Sequence, residues 1–131
     1  MSSAISIALS GLNAATQRLN ASASNIANIS TAGSLDDPQN GPYEAVTTTS
    51  KTLDNGGVRA DIVTTNQPFI PAYDPDSPFA NAQGLIGVPA VDLATEAVNA
   101  ILAELAYKAN LEVIDAAQEN ENALLDIFDS E

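Results

Sequence analysis

The sequence of 131 residues contains no cysteine, no histidine and no tryptophan. Without cysteine, the chain has neither a disulfide framework nor a thiolate metal site. Without histidine, it lacks the commonest general base and the commonest zinc ligand. Sequence motifs of phosphate-binding loops, serine hydrolases and zinc proteases are also missing. We therefore expect a protein that is not an enzyme and that uses no metal, cofactor or small-molecule substrate.

Aromatic residues and long apolar runs are scarce as well. Six residues are aromatic, whereas 23 are alanine, a composition that favours closely packed helices over a thick globular core. No apolar run approaches the roughly 18 residues of a membrane-spanning helix. The first residues also lack the basic region and apolar stretch of a secretory signal peptide. We expect neither a transmembrane segment nor a cleaved leader.

Basic residues are few, since four lysines and arginines stand against 17 acids, for a net charge of −13. Such a chain repels nucleic-acid phosphates, so nucleic acid is not an expected partner. The charge is uneven along the chain. Residues 1–35 hold one charged residue, Arg18, whereas residues 92–131 hold ten acids and one base.

A heptad of large apolar residues predicts a helix over about residues 3–30. Small residues, Ala8, Ala15 and Ser22, stand three positions after the first three large ones, which allows a partner helix to approach closely. The other faces carry amides and hydroxyls in place of charges, so we favour burial on several sides over a merely polar surface. The large heptad residues are Ile5, Leu12, Leu19 and Ile26.

A second long helix is predicted over residues 92–128, with Asp92 as its N-cap. Its apolar seam is predicted to begin with Val98, Ile101 and Leu105. Two helices that each carry a narrow seam predict an antiparallel or coiled-coil-like pair. Three acids of the second helix, Glu112, Asp115 and Glu119, share one face, and we favour a solvated acidic surface over a metal or catalytic cluster there.

The middle of the chain is predicted to be extended and rich in turns. Two strand-like segments, Tyr43–Leu53 and Val58–Thr65, flank an Asp-Asn-Gly-Gly turn and predict a β-hairpin. Because a lone hairpin is only marginally stable, it is expected to lie on the helices or on another copy of the chain. Residues 66–89 contain five prolines and are predicted to form an extended arm. The predicted fold is thus mainly α, with a helix in residues 1–33, a hairpin and arm in 34–91, and a helix in 92–131.

Three short motifs lie in or next to the predicted helices. Near the first helix stand Ala23–Asn28 (ASNIAN) and Thr31–Gly33 (TAG), and near the second stands Tyr107–Asn110 (YKAN). These motifs resemble those of the flagellar rod and hook proteins. Between them, Tyr73–Pro75 and Ser77–Ala80 follow in the order found in proximal rod members of that family. The resemblance covers nearly the whole chain, and the two terminal motifs are typical of the wider group.

The resemblance implies a structural subunit that packs with other copies of itself and with other rod proteins into a tube. It also implies export by the flagellar type III apparatus without a cleaved signal peptide, and a place in the periplasmic rod of the basal body. Three alternatives stay open: a divergent rod-family paralogue, an autonomous acidic binding module without a rod role and, less favoured, a small hydrolase with a carboxylate pair. The residues expected to pack subunits are Ile5, Leu12, Leu19, Asn25, Ile26, Asn28, Val98, Ile101, Leu105, Tyr107 and Asn110.

Overall fold

The computed structural model describes residues 3–129, and it has a long helix at each end of the chain with four short strands between them. Both predicted helices and the predicted hairpin are confirmed, with bounds that differ by a few residues. A single turn of 3₁₀ helix, Pro38–Asn40, precedes the strands. The elements are α1 (Ser3–Ala27), β1 (Val46–Thr52), β2 (Val58–Thr64), β3 (Phe69–Tyr73), β4 (Leu85–Pro89) and α2 (Leu93–Asp129).

Helix α1 lies at the centre of the molecule. It packs against α2 on one side and against β1 and β2 on another. The two helices are antiparallel, because Asn25 near the end of α1 bonds Glu96 near the start of α2, and Gly11 lies against Asn110. Alanines dominate the core, in keeping with the composition.

The face that α2 turns toward α1 is not the predicted one. Val98, Ile101 and Leu105 point away from α1 and are exposed, so their assignment to the seam between the two helices is wrong. Small residues face α1 instead, with Ala103 fully buried. Because alanine and glycine let helix axes approach closely, they form the inner contact and leave the bulky residues outside. The other residues of α2 that are at least partly covered are Glu96, Ala100, Ala106, Asn110, Ile114 and Ala117.

Strands β1 and β2 form an antiparallel hairpin in which Thr52 is paired with Val58 and Val46 with Thr64. The turn between them contains Gly56 at a φ of 82°, a conformation that favours glycine. The side chain of Ser10 in α1 accepts a hydrogen bond from the Val58 amide at 3.0 Å, so the hairpin is tied to the helix near its turn. The hairpin thus lies on α1, in agreement with the expectation that an isolated hairpin would be only marginally stable.

The predicted extended arm contains a second strand pair. β3 and β4 are antiparallel, with Phe69 opposite Pro89 and Tyr73 opposite Leu85. Prolines are tolerated here because Pro71 lies opposite Gly87, whose N–H bonds the Gly33 carbonyl instead of the neighbouring strand. The five prolines led to the prediction of an extended arm, whereas this segment contains a pair of strands.

Gly33 lies close to the end of the predicted first helix, but α1 ends six residues earlier, at Ala27. Gly33 instead exchanges two backbone hydrogen bonds with Gly87, at 3.0 and 2.8 Å, and so joins the end of the α1 region to β4. Neither α1 nor α2 is apolar enough along its described length to cross a membrane.

Candidate assembly surface

A buried amide at the end of α1 organises the contact between three elements. Asn25 is only 2% exposed, yet all of its hydrogen-bonding groups have partners. Its Nδ2 donates to the Val46 carbonyl at 2.8 Å and to Glu96 Oε1 at 2.9 Å. Its Oδ1 accepts from the Val46 amide at 2.9 Å and from the Tyr43 hydroxyl at 3.1 Å. Asn25 therefore positions α1, β1 and α2 relative to one another.

The hydroxyl of Tyr43 extends this network to a second residue of α1. It lies 2.8 Å from the Ser24 hydroxyl, which is free to donate because the tyrosine proton is directed at Asn25. Asn28, one turn later, uses its side chain to bond the Ser24 carbonyl at 2.9 Å. The polar residues of the ASNIAN segment thus form contacts within the chain, in agreement with the burial expected of an uncharged helix face.

The outward side of α2 carries a continuous apolar stripe, which we call the outer stripe and define as Val98, Ile101, Leu102 and Leu105. These side chains are between 55% and 64% exposed. Their spacing of three and four residues places them next to one another on the helix. Leu102 lies at the edge of the stripe and lines a cleft that residues of α1 also line, whereas the other three point away from α1. A row of four large aliphatic side chains in solvent is unusual for a monomer and is typical of a surface that another protein covers.

A shallow apolar groove of about 180 Å³ runs between the two helices beside the outer stripe. Leu19 of α1 and Tyr107 of α2 form its walls, and both are about 40% exposed. Ala15 and Ala103 form its floor, with Lys108 at the edge. A bulky side chain from a neighbouring molecule could enter the groove as a knob enters a hole.

The predicted packing residues fall into three groups. Leu12 and Asn25 are buried within the chain, so any influence on subunit packing would be indirect. Leu19, Val98, Ile101, Leu105 and Tyr107 are exposed and line the outer stripe or the groove. The remaining four are partly covered: Ile5, Ile26, Asn28 and Asn110.

The prediction omitted Leu102 from the outer stripe and Tyr43 and Glu96 from the Asn25 network. The predicted seam took a single residue from each helical turn, so it included Ile101 and omitted the adjacent Leu102. Tyr43 and Glu96 lie 18 and 71 residues from Asn25 along the chain. No periodicity within one helix could have linked them, because their meeting depends on how the elements fold together.

The charged residues of the described chain form a helix cap and ion pairs. Hydrogen bonds from the Thr95 side chain and from the Thr95 amide lower the pKa of the Asp92 carboxyl. The amide bond, at 2.7 Å, confirms the predicted role of Asp92 as N-cap of α2. Lys108 bonds Glu104 one turn away, and this contact lowers the pKa of Glu104. Within the same described range, no cluster of three or more acids could hold a metal ion.

A paired-helix protein with its large apolar side chains on the outside has the properties of an assembly subunit. Comparison with known proteins agrees with this class. The sequence pattern of the family described as "Flagella basal body rod protein" matches residues 5–33, which contain nearly all of α1 and the Gly33 turn.

Proteins similar along most of their length carry the name flagellar basal-body rod protein FlgC. The chain is 37% identical to that of Escherichia coli O6:H1 and 39% identical to that of Yersinia enterocolitica, with 86% of each chain covered. The Agrobacterium fabrum protein is 32% identical, over 98% of this chain and 95% of its own. The chain belongs to the FlgC flagellar basal-body rod proteins.

Proposed function

We propose that the chain is a structural subunit of the bacterial flagellar basal-body rod, and that copies pack through the outer stripe of α2. The observation that carries this packing is the inversion of α2: its small residues face α1, and its bulky aliphatic residues face outward. A helix inside a single folded monomer would normally bury its larger side chains, because they yield the greater hydrophobic free energy. Covering the outer stripe therefore requires a neighbour.

The hydrophobic free energy gained by covering the outer stripe is sufficient for assembly when many copies contribute. Each of the four side chains is a little more than half exposed. Full burial of an aliphatic side chain stabilises by about 1.5–3 kcal/mol, so covering each one yields about 1 kcal/mol. Four such contacts per copy, repeated along a shaft, favour a stiff helical wall that can transmit torque.

The groove between Leu19 and Tyr107 offers a receiving surface for the outer stripe. It lies at the same height along the helix pair, but on a different side of it. A surface that fits a different surface of the next copy forms a head-to-tail contact, which builds rings or open helices instead of closed dimers. The proposal places the protein in a tube of its own copies and other rod proteins, in the periplasmic part of the basal body, after export by the type III apparatus.

Replacement of Ile101 by glutamate tests this proposal. Gln67→Glu adds the same charge at an exposed position between β2 and β3, outside the outer stripe and the groove, and serves as the matched control. We expect Ile101→Glu to lower the amount of the protein in purified hook–basal bodies and to abolish swimming, with Gln67→Glu near normal. Secretion of each variant is measured in parallel, so that failed export is separated from failed assembly. Normal incorporation of the exported Ile101→Glu chain would contradict packing through the outer stripe.

A further inference from the structure

The outer face of the β1–β2 hairpin carries two adjacent basic side chains, an arrangement that does not favour the stability of the fold. Lys51 and Arg59 lie directly opposite each other in the antiparallel register. Like charges in a cross-strand pair are destabilising, and these are two of only four bases in the chain. A third, Arg18, reaches the same hairpin and donates to the Ser50 hydroxyl at 3.2 Å. Three of the four bases thus lie on or beside the hairpin of a protein with a net charge of −13, with Arg18 on its inner side and Lys51 and Arg59 on its outer face.

The pair is only partly neutralised within the chain. Arg59 bonds Asp61 on its own strand through both Nε and Nη2, at 3.0 and 2.9 Å. Within residues 3–129, Lys51 has no carboxylate at ion-pair distance. Both basic side chains lie on an exposed sheet face that no other described element covers. This basic face therefore has room for an acidic partner.

The opposite charge lies on the distal half of α2. Glu112, Asp115, Glu119 and Asp126 project from one side of the helix, and we call them the acidic row. All four are exposed, and none forms an ion pair within the described chain. No base follows Lys108 in the sequence. The distal half of α2 therefore carries negative charge that no base of the described chain neutralises.

Among the described residues, the distal part of α2 is not covered by other elements. Ala117 is the last residue of α2 that is partly covered, and residues 118–127 are all exposed. This segment carries three large apolar side chains, Leu124, Leu125 and Ile127, each about 60% exposed. An overhanging helical segment with both apolar and acidic residues has the composition of a docking element.

The far end of the acidic row does not reach the basic face of the same chain. The hairpin is bonded to α1 at Ser10, and the next residue, Gly11, lies against Asn110 of α2. Glu119 lies nine residues beyond Asn110 on an unbroken helix, about 14 Å further at 1.5 Å per residue. Contact between the Glu119 end of the row and the basic face therefore requires two molecules.

We propose that the acidic row on the distal part of α2 docks on the Lys51–Arg59 face of a second copy of this chain. The acidic row is attracted to the basic face of the second copy, and the apolar residues of the overhanging segment add contact area. Because the two surfaces differ, the contact is head-to-tail and propagates from copy to copy. This inference rests on the proposed rod function, to which it adds an axial or diagonal contact distinct from the outer stripe.

The absence of native cysteine allows a direct test by disulfide cross-linking in purified hook–basal bodies. One chain carries both Lys51→Cys and Glu119→Cys, and the matched control carries Lys51→Cys with Asp36→Cys, a different exposed acid. A disulfide needs Cα atoms within about 7 Å, so a bond between positions 51 and 119 has to join two copies. We expect oxidised ladders of this protein from the first pair and none from the control.

Charge reversal supplies the second readout. Lys51→Glu with Arg59→Glu should reduce incorporation at least tenfold, since opposing like charges cost more than about 1.4 kcal/mol. Adding Glu112→Lys and Glu119→Lys to the same chain returns the net charge to −13 and should restore incorporation. Restoration would show pairing of these surfaces and not a dependence on overall charge.

The outcomes distinguish the docking contact from the rod function itself. Native protein in the basal body, no ladder, and normal incorporation of the Lys51→Glu, Arg59→Glu variant would overturn the docking contact and leave the rod function standing. A cross-link from position 51 to a different rod protein would overturn the choice of a second copy. Absence of the native protein from basal bodies that contain the other rod components would overturn both proposals.

Discussion

Replacing Asn25 by aspartate probes the contact that positions α1, β1 and α2. The carboxylate keeps the two hydrogen bonds that Asn25 Oδ1 accepts, from the Val46 amide and the Tyr43 hydroxyl. It loses the two that Nδ2 donates, to the Val46 carbonyl and to Glu96. The substitution changes no shape, so its effect reports hydrogen bonding and charge alone.

The expected loss is large relative to the stability of a small protein. Each buried acceptor left without a donor costs about 1–3 kcal/mol, and here the lost donor is replaced by an oxygen that repels both acceptors. We expect the free energy of unfolding to fall by about 3–5 kcal/mol, out of the roughly 5–15 kcal/mol of a typical domain. For a chain of this length, the midpoint of thermal unfolding should fall by about 10–20 °C.

Thermal unfolding followed by circular dichroism measures the loss, with Asn20→Asp as the control. Asn20 lies on the same helix, is exposed, and its substitution adds the same charge; we expect a change within about 0.5 kcal/mol. Burial raises the pKa of the carboxyl introduced at position 25, so its destabilisation is greatest at neutral pH and diminishes as the pH falls and the carboxyl becomes a donor. Equal midpoints for the two variants at neutral pH would refute the structural role assigned to the network.

Two further substitutions test local features of the fold. A methyl group added at Gly33 would clash with the backbone of Gly41 and Pro42, whereas one added at Gly41 meets nothing closer than 3.7 Å. Denaturant unfolding should therefore show Gly33→Ala to be about 1–3 kcal/mol less stable than Gly41→Ala, and equal stabilities would contradict the close approach. Asp92→Ala removes the N-cap of α2 and should lower the thermal midpoint at neutral pH. Because the pKa of Asp92 is lowered below its ordinary value of 3.8 in the folded chain, the stabilisation is present above that value and is lost as the pH falls below it; a difference between variant and native chain that is independent of pH would contradict the capping role.

The inverted α2 relates the stability of one chain to the assembly of many. The inner contact uses residues such as Ala103, which yield little hydrophobic free energy but allow close approach. The larger aliphatic residues lie on the surface, where a neighbouring copy can cover them. A subunit of this kind gains much of its stability on assembly, because binding that requires the folded chain also stabilises it.

The two helices and the first hairpin could be predicted from the sequence, because they depend on interactions between residues close together in the chain. Heptad spacing predicted α1, alanine-rich composition and the Asp92 cap predicted α2, and the Asp-Asn-Gly-Gly turn predicted the first hairpin. The motifs around Asn25 and Tyr107 also indicated the family, which the similarity to FlgC proteins confirms. These signals are local, and backbone propensity determines them without knowledge of the rest of the fold.

The tertiary structure alone decided which side of α2 faces inward, what Asn25 bonds, and how residues 66–89 are arranged. Helix α2 has apolar residues on more than one side, and periodicity does not distinguish a seam of large residues from a close contact between small ones. The choice depends on the distance between helix axes, which is set by residues such as Gly11 on the opposite helix. The β3–β4 pair and the Asn25 network likewise depend on partners far away in the chain, since the Gly33–Gly87 bridge spans 54 residues and the Asn25–Glu96 bond spans 71. Contacts of this kind form only once the whole chain has folded.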